Sequence, residues 1–243
     1  MTPLNFVNDD PEDRGRQSRH RQLHEAALLA RTVVRLRPAQ VAQWVRLRTL
    51  RTAERRWPEL VTRSLAPPTG VTPGWPAAFS PLDAPFDHGD AAEITQGRFR
   101  FLGEVRSLGE PADWHQQGAS RLWRFHLHYV EWAWALAQAP DRASARASFA
   151  RLWRSWRTSI KPAQGDAWSP YVASLRVWVL CGVFDALVKR SEIESDYVGQ
   201  ISWHAGHVQS HLELDVGGNH LLKNVKALIG AGVFLAWKHR SMT

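Results

Sequence analysis

The sequence predicts an all-α fold of antiparallel helical hairpins, with a long Pro-rich loop and one short β element. Three observations predict it. From Gln22 onward apolar residues recur at spacings of three and four, as in Leu23, Ala26, Ala27, Ala30 and Val34. From Ser120 onward, helix-length segments are separated by short joints at Pro140-Asp141, at Lys161-Pro162 with Gly165, and at Gly217-Gly218. Only Arg98-Phe-Arg-Phe-Leu alternates polar and apolar residues as a strand does, with Gly103 and Gly109 as turn signals.

Taken in order, residues 1–20 are polar and read as a frayed N-terminus. A first helix follows and Pro38 interrupts it; a second is expected from Ala39 to Trp57. That helix sets Val41, Trp44, Val45 and Leu47 against Arg46, Arg48, Arg51, Arg55 and Arg56. Such a run is ordinarily a solvated face; the alternative is a grip on a polyanion. Residues 58–86 hold seven of the 14 prolines, from Pro58 to Pro85, so the stretch 58–98 is read as a loop that wraps a surface. Helices are then expected at about 120–138, 141–159, 169–189, 192–213 and 220–238. The 120–138 segment is apolar nearly all round, which suits an enclosed helix.

Composition narrows the function classes. Hydrophobic residues make up 44% and charged residues 22%, which excludes a disordered chain. A single Cys, Cys181, leaves no intrachain disulfide and no Cys-based zinc site. The net charge is +8, carried almost wholly by Arg, which suits an anionic partner or simply solubility. No apolar leader or spanning segment is visible, so the chain reads as cytoplasmic with no membrane insertion. P-loop, His-Glu-x-x-His, Cys-x-x-Cys and Gly-x-Ser-x-Gly patterns are absent.

Three segments carry candidate chemistry. In the first, Gly217 and Gly218 end one helix and Asn219 and His220 open the next. Asn219 is either an N-cap with Gly217 as the C′ residue, or it projects with His220 into a cleft where both bind a carboxylate. In the second, Ser169 and Pro170 start a helix in which Arg176 is the only charge between Asp166 and Asp185. Arg176 is read as half of an internal ion pair, or else as lining an acidic-substrate cleft. In the third, His204, His207 and His211 share one helix face. That spacing suits a metal, but no carboxylate motif accompanies it, and no metal or other cofactor is expected. The 13 Trp residues read mostly as core, with some available as sugar-stacking platforms.

The segments 122–129, 168–176 and 217–224, in that order, resemble motifs of the heparinase II/III family of polysaccharide lyases. Those motifs are Leu-Trp-x-Tyr-x-Leu-His-Tyr, Trp-x-Pro-Tyr-x-x-Ser-x-Arg and Leu-Gly-Asn-His-Leu-x-x-Asn. Leu36-Arg-Pro-Ala-Gln and Phe99-Arg-Phe-Leu are also similar, and the likeness runs over about residues 25–237. It implies an incomplete (α/α) toroid over 21–243, acting on an acidic, uronate-containing polysaccharide by β-elimination. It also implies a periplasmic location if the true N-terminus differs. In that chemistry one group neutralises the uronate carboxylate, a base removes the C5 proton, and an acid protonates the leaving O4. Asn219 matches the neutralising Asn, with His220 beside it. Tyr171, Arg176, Trp168, His128 and Trp123 match positions expected to bind substrate. The family's catalytic Tyr and the His of its C-terminal β domain have no counterpart, and position 217 is Gly rather than Leu. The chain is therefore expected to be a truncated lyase portion, inactive or weak alone. The alternative is a non-catalytic subunit that binds acidic carbohydrate or serves exopolysaccharide production; nucleic acid, suggested only by charge, ranks last.

Overall fold

The computed structural model describes residues 38–57, 73–76 and 89–236. The frayed N-terminus, the first expected helix and most of the Pro-rich stretch lie outside the described residues. The chain divides into two compact units, Met1–Arg46 and Leu47–Thr243. Of the first, the described part is the start of helix α1 (Pro38–Arg56). The rest of the described chain belongs to the second.

The described residues are mostly helical, as expected. Helix α2 (Ala91–Thr95) falls inside the stretch read as loop, so that reading is corrected over those residues. Its start is local chemistry: the Asp90 carboxylate accepts from the Ala92 N–H at 2.7 Å. Strands β1 (Arg98–Phe101) and β2 (Glu104–Ser107) pair antiparallel, Arg98 opposite Ser107. Phe99 drives its ring into the core between Trp114 and Trp132.

The helix expected at 120–138 is two helices, α3 (Arg121–Tyr129) and α4 (Ala133–Gln138). Ser120 caps α3 by accepting from the Trp123 N–H. The break falls at Val130, whose φ of 64° is left-handed and ends the helix. Neither Gly nor Pro marks the spot. The Trp132 indole donates to the Leu127 carbonyl at 3.1 Å, satisfying one of the acceptors α3 leaves open. Helix α5 (Arg142–Ser159) starts on an Asp141 cap and matches its expected span.

Helix α6 (Pro170–Gly182) begins with Pro at its first position, but the Ser169 side chain makes no capping bond. A 3-10 turn, Asp166–Trp168, precedes it, and a π-helical turn, Phe184–Val188, follows it. Helices α7 (Glu194–Ser210) and α8 (Gly218–Ala236) complete the order. Tyr197 donates to the Leu180 carbonyl, while His207 near the other end of α7 reaches Trp168, so α6 and α7 are antiparallel. Ser174 meets Asn224, and Trp178 lies against Gly230, so α6 and α8 are parallel. This up-down-up order places the starts of α6 and α8 side by side. From the Pro-rich stretch, Trp75 donates to the Cys181 carbonyl and Gly74 donates to that of Phe234, tying 73–76 across α6 and α8.

Most of the Trp residues are core: Trp114, Trp123, Trp132, Trp153 and Trp156 are fully buried. Gly182 is required by this packing. A Cβ there would stand 2.1 Å from the Trp134 ring. Gly182→Ala is expected to cost about 1–3 kcal/mol, through displacement of a buried indole, read as a lower urea midpoint. Gly217 is required by the backbone instead. It sits at φ +65°, with open space where a Cβ would go. Gly217→Ala is expected to lose about 1–2 kcal/mol by thermal unfolding from conformational strain alone.

Candidate functional site

Because α6 and α8 are parallel neighbours, Tyr171, one residue into α6, meets Asn219 and His220 in the first turn of α8. The Asn219 amide donates to the Tyr171 hydroxyl at 3.3 Å, and the Tyr171 and His220 rings lie 4.4 Å apart. Asn219 is not an N-cap, since α8 starts at Gly218, and Gly217 closes a turn with Glu213 rather than ending α7. Asn219 therefore projects from a helix N-terminus, where backbone N–H groups and the helix dipole favour an anion.

His220 is held by Glu213. Its Nδ1 lies 3.1 Å from Glu213 Oε1. A carboxylate accepts, so Nδ1 carries the proton and Nε2 keeps a lone pair. Glu213 is itself fixed: Asn224, fully buried, donates to Glu213 Oε2 at 3.2 Å and to Ser174 at 2.8 Å, and accepts from the Glu213 N–H. The motifs include Ser174 and Asn224 without assigning them a role, and they do not include Glu213. The available signal was Asn224, four residues after His220 and so one turn behind it on α8.

The other expected binding residues lie elsewhere. Trp123 is 0% exposed and donates to the Glu104 carbonyl, so it is a core residue and not a sugar platform. Arg176 is also 0% exposed. It neither lines a cleft nor, among the described residues, forms an ion pair. One of its nitrogens donates to the His128 and Ala167 carbonyls at 2.8 Å each, and its guanidinium lies against Trp156 and Trp168 at 4.7 and 5.0 Å. Aromatic faces and carbonyl dipoles replace the missing carboxylate. Burial lowers its pKa, yet it stays ionised at neutral pH.

His128 is buried and accepts from the Trp156 indole through Nδ1 at 3.1 Å. Burial first, and the Arg176 charge second, push it down to about 3. It borders a cavity of about 650 Å³ shared with His115, Arg124, Lys161 and Asp166. Arg124 and Arg121 are both bonded to Asp166, whose carboxyl these partners hold below its usual range against the opposing effect of burial. Trp168 borders a second cavity, of about 300 Å³. Its ring stacks on His204 at 4.5 Å. His204 donates to the Gln200 carbonyl and is held well below its ordinary pKa, mainly by burial and then by Arg176. So the expected residues do not form one site. Tyr171, Asn219 and His220 converge; His128 and Trp168 border two cavities that none of those three lines; Arg176 and Trp123 are internal.

No protein-family model, no curated protein and no solved structure gives a significant match to the chain. No helix among the described residues is long and apolar enough to cross a membrane.

Proposed function

We propose that the chain is a polysaccharide-lyase-like helical domain that binds a uronate-containing acidic polymer at Tyr171, Asn219 and His220. The observation that carries this reading is their convergence at the paired starts of α6 and α8, with His220 oriented by Glu213. Alternation of helix direction through α6, α7 and α8 supports the toroid expected from the motifs. The Asn219 amide and the α8 N-terminus neutralise the carboxylate, which acidifies the C5 proton. His220 Nε2 is the group able to accept that proton. Elimination at this place would form the C4=C5 bond from the C5–H electrons and break the C4–O4 bond, with the Tyr171 hydroxyl protonating the leaving O4, a role beyond the substrate-binding one the motifs imply for it.

Affinity electrophoresis in gels containing an acidic or a neutral polysaccharide tests binding. Retention is expected only in the acidic gel, and Asn219→Ala should weaken it about tenfold or more, through loss of a hydrogen bond to a charged group. Equal mobility in both gels would sink the reading. Ultraviolet absorbance of a 4,5-unsaturated uronate separates the two roles. Its appearance, lost in His220→Ala, supports elimination. Retention with no product supports the non-catalytic binding role.

A further inference from the structure

We propose that Glu54, His207 and His211 form a site for a divalent transition-metal ion of the zinc class, open on one side to the cavity beside Trp168. The site is independent of the uronate reading and shares no residue with it. His207 is in the last turn of α7 and His211, four residues on, is the residue that caps it, while Glu54 comes from the last turn of α1. The three potential ligand atoms all lie within 4.8 Å of one another. Glu54 Oε1 is 3.2 Å from His211 Nε2 and 3.9 Å from His207 Nδ1. Zinc with bonds of about 2.0–2.1 Å sets tetrahedral ligand atoms about 3.4 Å apart, so the two Glu54 spacings need only small adjustment.

The protonation pattern is that of ligands. His207 Nε2 faces the Trp168 carbonyl at 3.0 Å, and His211 Nδ1 faces the His207 carbonyl at 2.9 Å. A carbonyl only accepts, so each of these nitrogens carries the ring proton. The lone pairs are then on His207 Nδ1 and His211 Nε2, the two atoms turned towards Glu54. Fixing of each imidazole by a carbonyl behind it is the usual outer support of a metal-binding histidine. Glu54 is 6% exposed and His211 1%, yet Glu54 Oε2 and His211 Nε2 have no hydrogen-bond partner among the described residues. Acceptor atoms gathered in a buried place repel unless a cation joins them. Two imidazoles and one carboxylate suit zinc or its neighbours rather than calcium or magnesium. The cavity, also lined by Arg121, Asp166 and Ser169, leaves room for a further ligand such as water.

The sequence pattern supplied two of the three residues of this site. His204 belonged to the same spacing but not to the site, because its Nδ1 is bonded to Gln200 and its ring stacks on Trp168. Glu54 was invisible because it lies on a distant helix.

The test is titration of chelator-stripped full chain with Zn²⁺ by calorimetry and with Co²⁺ by visible absorption. One ion per chain is expected, with the intense visible bands of four- or five-coordinate Co²⁺. Glu54→Gln and His211→Ala should each weaken binding by about tenfold or more, while His115→Ala, an exposed histidine elsewhere, should not. Circular dichroism verifies that each variant is folded. If a variant fails to fold, the Co²⁺ spectrum of the wild-type chain decides alone. No stoichiometric uptake, or only the weak spectrum of hydrated octahedral Co²⁺, would overturn the proposal; so would binding unchanged in a folded Glu54→Gln. A Glu54–His211 ion pair joined by a proton gives the first of these results.

Discussion

Between pH 7 and pH 5 the protein is expected to lose about 2 kcal/mol of stability through His128, with His204 adding in the same direction, because these interior histidines resist protonation in the folded state. His128 is pushed down to about 3 and His204 well below its ordinary value, in both cases chiefly by burial. In the unfolded chain each titrates near 6.5. The folded pKa is the lower, so the unfolded state binds more protons as pH falls. Stability is therefore fully present above about pH 6.5 and is lost progressively below it, by about 1.4 kcal/mol per histidine per pH unit. Glu131, whose carboxyl burial raises, works in the opposite direction. Urea midpoints measured from pH 7 to pH 5 test this. His128→Asn offers an acceptor for the Trp156 indole but does not titrate, so it should flatten the slope by about 1.4 kcal/mol per pH unit. A flat profile would mean that the two imidazoles are hydrated.

Arg176→Ala is expected to cost about 3–4 kcal/mol. The His128 and Ala167 carbonyls lose their donor, at about 1–3 kcal/mol for each acceptor left buried and unpaired. Two aromatic faces lose their cation, at about 2 kcal/mol for a desolvated pair. Relief from holding a charge in the interior offsets part of this. Arg176→Met, which refills the space without donors, should recover some of the loss. Both are read as urea midpoints. If Arg176→Ala leaves the midpoint unchanged but abolishes retention by an acidic polysaccharide, Arg176 is a binding residue and the interior placement is wrong.

What the sequence disclosed depended on range. Helix α5 was legible at both ends because its cap, Asp141, and its apolar period act within a few residues. The pairing of Tyr171 with Asn219 and His220 was legible only as motif order. The geometry needed α6 and α8 to be parallel neighbours, which no local signal states. The break at Val130 was hidden for a related reason. A β-branched residue is a poor candidate for left-handed backbone, and what accompanies it there is packing of Trp132 under α3. Arg176 misled because charge in an apolar helix is more often answered by a carboxylate than by two carbonyls and two indoles. Glu54 could not be foreseen as a partner of α7, since contacts between remote segments leave no periodic trace.

The aromatic rings of the interior form a continuous series. Trp153 and Trp156 are stacked at 5.4 Å, Trp156 lies 6.4 Å from Trp168, and Trp168 lies 4.4 Å from Trp203. Excited states shared at such separations make these indoles one coupled chromophore rather than four independent ones. The near-ultraviolet dichroism of the protein should thus be dominated by this series, and should collapse when its ring geometry loosens even while the helices persist. Trp168 also touches His207 edge-on at 5.1 Å. Events at the buried histidines would then be written into the emission of the whole series, giving the molecule an optical signal that needs no added label.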